Sequence, residues 1–155
     1  MMKIYHITRR RLRWMGVLAV LMVLTVPILA GCFNKGSSND EAIVLSTVEE
    51  QVTFLASLGW EVDPAPIETL DLQLPQQWDE EWTAYAAMQT KQGLPFADFA
   101  GAVVHRVTYT VKNYPHIADG VQLNLYMADG QLIGGDVIFT GQGGFQTDLR
   151  YPKEK

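Results

Sequence analysis

The chain is poor in the residues that carry covalent and metal chemistry. It holds one cysteine, Cys32, and three histidines in 155 residues. A lone cysteine excludes an internal disulfide framework, a CxxC redox pair and a thiolate zinc site. Only His105 and His116 lie beyond residue 31. Neither has a second histidine or a carboxylate at ligand spacing beside it, so no metal and no cofactor is expected. Ser37, Ser38, Ser46 and Ser57 sit in no Gly-x-Ser-x-Gly elbow. Basic residues are also few. Five of the 12 Lys and Arg, and none of the 17 Asp and Glu, fall in residues 1–31. The rest of the chain therefore sets seven basic residues against 17 acidic ones, a net of −10. Such a surface repels phosphate backbones and anionic headgroups, which argues against nucleic acid as a partner.

What is present is concentrated at the N-terminus. Lys3, Arg9, Arg10, Arg11 and Arg13 precede an uncharged run from Met15 to Ala30. This is the layout of a secretory signal. The run is short for a spanning helix, which needs about 20 apolar residues, and Pro27 disfavours continued helix. Arg9-Arg10-Arg11 has a twin-arginine flavour, but an ordinary basic n-region accounts for it. Leu29-Ala30-Gly31-Cys32 resembles the lipobox of bacterial lipoproteins at all four positions. The resemblance implies that the Cys32 sulfur takes a diacylglyceryl group and that cleavage makes Cys32 the mature N-terminus. Two acyl chains on one residue suffice for stable attachment, where one does not. The expected membrane partner is thus lipid, joined through Cys32, on the extracytoplasmic face of the cytoplasmic membrane.

Residues 32–42 read as a flexible tether rich in Gly, Ser and Asn. Residues 43–151 suit a single domain, and 152–155 a short tail. Thr47-Val48-Glu49-Glu50 fits a capping box, followed by Val48, Val52, Leu55 and Leu58 at helical spacing and by Gly59 as a stop. Asp79 caps a second helix with Trp78, Trp82, Tyr85 and Met88 on one side and Gly93 at its end. Ile67 to Leu74 alternates as an edge strand between Pro66 and Pro75. Ala102–Lys112, Val121–Met127, Leu132–Phe139 and Phe145–Leu149 alternate as strands, and Asp129-Gly130 is a hairpin signal. The pattern predicts an α+β fold, with two helices packed on one face of an antiparallel β-meander of three to five strands. His105 falls on the face assigned to the core.

The segment Ile133-Gly134-Gly135-Asp136-Val137 is the strongest candidate for a site. Paired glycines in a strand mark a bulge or a close backbone approach. Asp136 beside them can accept hydrogen bonds from a ligand or from a neighbouring turn. Gly134, Gly135, Asp136 and Arg106 form the speculative binding set; no catalytic residue is assigned. Neither this segment nor Gly141-Gln142-Gly143-Gly144 leads into a P-loop lysine. Gly59-Trp60, Lys91-Gln92-Gly93, Phe99-Ala100-Gly101, Arg106-Val107-Thr108-Tyr109, Asn113-Tyr114 and Ile133–Val137, in this order, resemble a domain of unknown function, number 4830, of Gram-positive lipoproteins. The resemblance spans residues 47–149 and implies a Gram-positive envelope setting, with no activity attached. The expected role is a membrane-tethered binding or regulatory module of the cell envelope with an envelope protein as possible partner. The alternatives are a small hydrolase using carboxylates and a solute-capturing lipoprotein.

Overall fold

The computed structural model describes residues 42–153. The expected signal peptide, lipobox with Cys32 and tether up to residue 41, and the end of the expected tail, lie outside the described residues.

Thr47 opens the first helix, α1 (Val48–Ser57), through the expected capping box. Its hydroxyl accepts the Glu50 N–H at 3.2 Å, and the Glu50 carboxylate accepts the Thr47 N–H at 2.9 Å. At the other end Gly59 takes φ +95°. The Trp60 N–H then donates to the Leu55 carbonyl and the Gly59 N–H to that of Ala56, which turns the indole back under the helix. The second helix, α2 (Glu80–Lys91), repeats the design. Asp79 accepts the Trp82 N–H at 2.8 Å, and the Leu94 N–H returns to the Gln89 carbonyl.

Five strands form one antiparallel sheet in chain order: β1 (Glu68–Gln73), β2 (Val103–Thr110), β3 (Val121–Ala128), β4 (Gln131–Phe139) and β5 (Phe145–Thr147). β1 stands between the two helices in sequence, and a 3-10 turn at Phe96–Phe99 precedes β2. Asp129 and Gly130 both adopt positive φ, the geometry of the tight turn that best matches strand twist. The α+β class and the meander are as the sequence predicts.

The helices, however, lie on opposite faces of the sheet. One core combines Leu55 and Trp60 with Val107, Tyr109, Leu123, Leu125 and Val137. Buried Gln51 on α1 pins this face, since it accepts the Tyr109 hydroxyl at 2.5 Å and donates to the Leu45 carbonyl at 3.2 Å. A second core combines Val104, Tyr126 and Ile133 with Trp82, Tyr85, Ala86 and Phe96. Successive strand residues point to opposite faces, so Leu125 and Tyr126 cannot serve one core. A register shift at Tyr126/Met127 leaves Ile133 without a partner and turns it toward α2. Both faces of β3 are apolar, and each needed its own helix. Trp78 and Trp82 are partly buried against Phe96, with the Trp82 ring stacked on it at 6.1 Å, so the aromatic stripe of α2 belongs to this second core.

His105 also departs from expectation. Its face is that of α1, but α1 leaves this end of β2 and all of β1 bare. Val103 is 64% exposed and His105 stands in solvent contact.

Candidate functional site

Three of the four predicted binding residues, Arg106, Gly134 and Asp136, converge on the α2 face, whereas Gly135 turns to the α1 face against Leu149. The register aligns Glu68, Thr108, Asn124 and Asp136 in one row across four strands, and Leu70, Arg106, Tyr126 and Gly134 in the next. Along the first row the Thr108 hydroxyl donates to Asn124 Oδ1 at 2.7 Å, and Asn124 Nδ2 donates to Asp136 Oδ1 at 2.7 Å. Gln146, exposed on β5, donates to Asp136 Oδ2 at 2.8 Å. Asp136 is 0% exposed. Burial pushes its carboxyl above the ordinary value of 3.8, against the pull of hydrogen bonds from Asn124 and Gln146, of the nearby Tyr85 hydroxyl and of the Arg106 charge. Burial and the Asp136 charge in turn raise the Tyr85 and Tyr126 hydroxyls. The Tyr85 hydroxyl, buried beside Asp136 and Tyr126, has no hydrogen-bond partner among the described residues. Arg106 pairs with Glu68 and keeps 27% of its side chain exposed, while its Nε is buried without a partner.

The two glycines let neighbours in. A Cβ on Gly134 would meet Phe96 Cδ2 at 2.6 Å, and one on Gly135 would meet Leu149 Cδ1 at 2.5 Å and the Asn124 carbonyl at 3.0 Å. The structure thus gathers Arg106, Gly134 and Asp136 on one face and buries the last two beneath α2. Thr108, next but one to Arg106 on β2, is buried at the start of the hydrogen-bonded row. No motif announces Gln89, and Gln92 enters the sequence reading only within Lys91-Gln92-Gly93, with no role attached. They complete the outer edge of β4 where short β5 does not reach. Gln89 accepts the Gly135 N–H at 2.9 Å, and Gln92 donates to the Gly135 carbonyl at 3.2 Å and accepts the Leu149 N–H at 2.8 Å.

An open concavity lies elsewhere, on the α1 face. A groove of about 560 Å³ runs between the start of α1 and the bare end of β1 and β2. Leu45, Val48, Pro66, Val107 and Met127 give it apolar walls, and Ser46, Gln51, Thr69, His105 and Asp129 supply polar points. The His105 Nδ1 meets Asp71 Oδ1 at 2.7 Å across the β1–β2 pair, and Asp71 is 74% exposed. Sequence reasoning missed this pair because it depends on strand register. Among the described residues no three His, Cys, Asp or Glu side chains gather in a way that could hold a metal ion, and no helix is long and apolar enough to cross a membrane.

The domain of unknown function DUF4830 matches residues 54–137, from α1 through the Gly134-Gly135-Asp136 segment. The chain belongs to this family. The matched stretch contains both helix C-caps, β1 to most of β4 and the Thr108–Asn124–Asp136 row, but not the capping box of α1 or Gln146. No curated protein and no solved structure matches the chain.

Proposed function

We propose that this DUF4830 protein is a lipoprotein, held through Cys32 on the outer face of the cytoplasmic membrane, whose domain captures a protein partner of the envelope at the α1-face groove. The observation that carries the reading is the groove itself. It is open and apolar-walled, and it is built partly from Leu45, Ser46 and Val48, where the chain enters the domain. Exposed Val44, Val48, Ile67 and Val103 add apolar surface on the elements around it. Asp136, by contrast, is sealed and spends both carboxylate oxygens on Asn124 and Gln146. That suits a brace between strands better than a ligand contact. Metabolic labelling with a fatty-acid analogue tests the anchor: the native chain takes up label and Cys32→Ala does not. Label retained by Cys32→Ala overturns the lipoprotein reading. Photo-crosslinking from Thr69 in native membranes tests the capture.

One observation favours a second reading. His105, oriented by Asp71, lines the same groove as Ser46, which are the residue types of a serine hydrolase. A fluorophosphonate probe that labels Ser46 in the native chain but not in His105→Ala would support it; no labelling would remove it.

A further inference from the structure

The sheet treats its two edges differently. At β4 the outer edge is closed by β5 and, beyond it, by the Gln89 and Gln92 side chains. At the other edge, β1 is paired with β2 alone among the described residues. Bare edges are commonly blunted by lysine, proline or a bulge. Residues 68–73, Glu-Thr-Leu-Asp-Leu-Gln, contain no lysine and no proline, and their register with β2 is unbroken. The Leu74 N–H donates to the Ala102 carbonyl. Because antiparallel pairs alternate, Glu68, Leu70 and Leu72 turn their N–H groups toward β2, and Thr69, Asp71 and Gln73 turn theirs outward. Ile67, just before the strand, also points inward, to the Thr108 carbonyl.

Side chains sort in the same way. Thr69 lines the groove and Asp71 stands beside it on His105, whereas Glu68 faces Arg106 on the other side. A strand laid along β1 would hydrogen-bond to the outward groups and set alternate side chains over the groove. We infer that the β1 edge receives an extended, basic segment of the partner protein by strand addition, with its apolar side chains turned into the α1-face groove. The inference rests on the reading of the domain as a binding module.

Charge selects the occupant. Near this edge Glu68 is paired with Arg106 and Asp63 with Lys112, while among the described residues Asp71, bonded to His105, and groove-lining Asp129 pair with no lysine or arginine. The chain beyond residue 31 carries a net of −10. Lysine or arginine on the incoming strand meets this field favourably. A second copy does not, because antiparallel β1–β1 pairing about Asp71 sets Asp71 against Asp71.

The test uses the full lipidated chain in zwitterionic nanodiscs, with empty nanodiscs as control. The probes are a synthetic peptide of alternating lysine and valine and its glutamate–valine counterpart. Hydrogen exchange reads the site, and fluorescence anisotropy reads affinity. The lysine peptide is expected to bind and to slow exchange at Thr69, Asp71 and Gln73. Thr69→Pro removes an outward N–H and spares the bonds to β2, and it should weaken binding by about tenfold or more. Should Thr69→Pro melt far below the native chain, a peptide N-methylated along one edge replaces it and should lose binding to the native protein. Equal binding by the glutamate peptide overturns the charge argument. Protection confined to segments other than β1, or undiminished binding to the N-methylated peptide, overturns strand addition. Protection of β1 that grows with protein concentration without peptide shows a second copy instead. If the edge fails these tests while photo-crosslinking from Thr69 still captures a partner, the binding-module reading stands and the edge inference falls.

Discussion

Asp136 separates bracing from binding, and its variants can be worked from the geometry. Asp136→Ala removes both acceptor oxygens. Asn124 Nδ2, on a residue that is buried, is then left without its partner, while exposed Gln146 recovers water. An unsatisfied buried donor costs about 1–3 kcal/mol, and the small void adds to it, so a loss of about 2–3 kcal/mol is expected at neutral pH. Asp136→Asn keeps the shape. Its oxygen accepts from Asn124, and its amide donates to Gln146 once that free side chain rotates. The change at neutral pH should stay within about 1 kcal/mol, because a buried charge is also removed. The pH dependence fixes the sign. Burial raises the folded-state pKa of Asp136 above its ordinary value. The stability it contributes is therefore full below that ordinary value and is lost as pH rises through the raised one. Native protein should thus gain on Asp136→Asn as pH falls through the acid range. Urea unfolding of both chains, followed by tryptophan signal at a series of pH values, measures this difference. A native protein that loses ground to Asp136→Asn on acidification would refute the reasoning, since it would mean that the ionised carboxylate is favoured by the fold.

Other positions give simpler expectations. Gly135→Val should destabilise by at least about 1–3 kcal/mol, because even its Cβ collides with Leu149 in the core and approaches the Asn124 carbonyl; thermal melts check it. Gln89→Ala leaves the Gly135 N–H without an acceptor and should cost about 1–3 kcal/mol, with faster hydrogen exchange at Gly135 as the local signature.

Much of the fold is legible because its signals are local. The Thr47–Glu50 box, the Asp79 cap, the turns at Gly59-Trp60 and Gly93-Leu94, and the Asp129-Gly130 hairpin each need only a few adjacent residues. The placement of α2 needed more. Tyr126 and Ala128 on the supposedly solvent side of β3 were the available sign that a second apolar face existed, and Trp78, Trp82 and Tyr85 were the matching surplus. The Thr108–Asn124–Asp136 row and the His105–Asp71 pair join residues on different strands, so they appear only once the register is fixed. Gln89 and Gln92 look like ordinary helix polars until the short β5 leaves an edge for them to fill.

The most direct measurement is photo-crosslinking in native membranes from two positions of the full chain. Thr69 lines the groove, and Glu81 is exposed on α2 at the opposite face. The binding reading predicts a discrete protein adduct from Thr69 and none from Glu81, with the captured peptide carrying lysine or arginine beside apolar residues. Adducts from Glu81 alone, equal adducts from both positions, or lipid as the only product at Thr69 would contradict it.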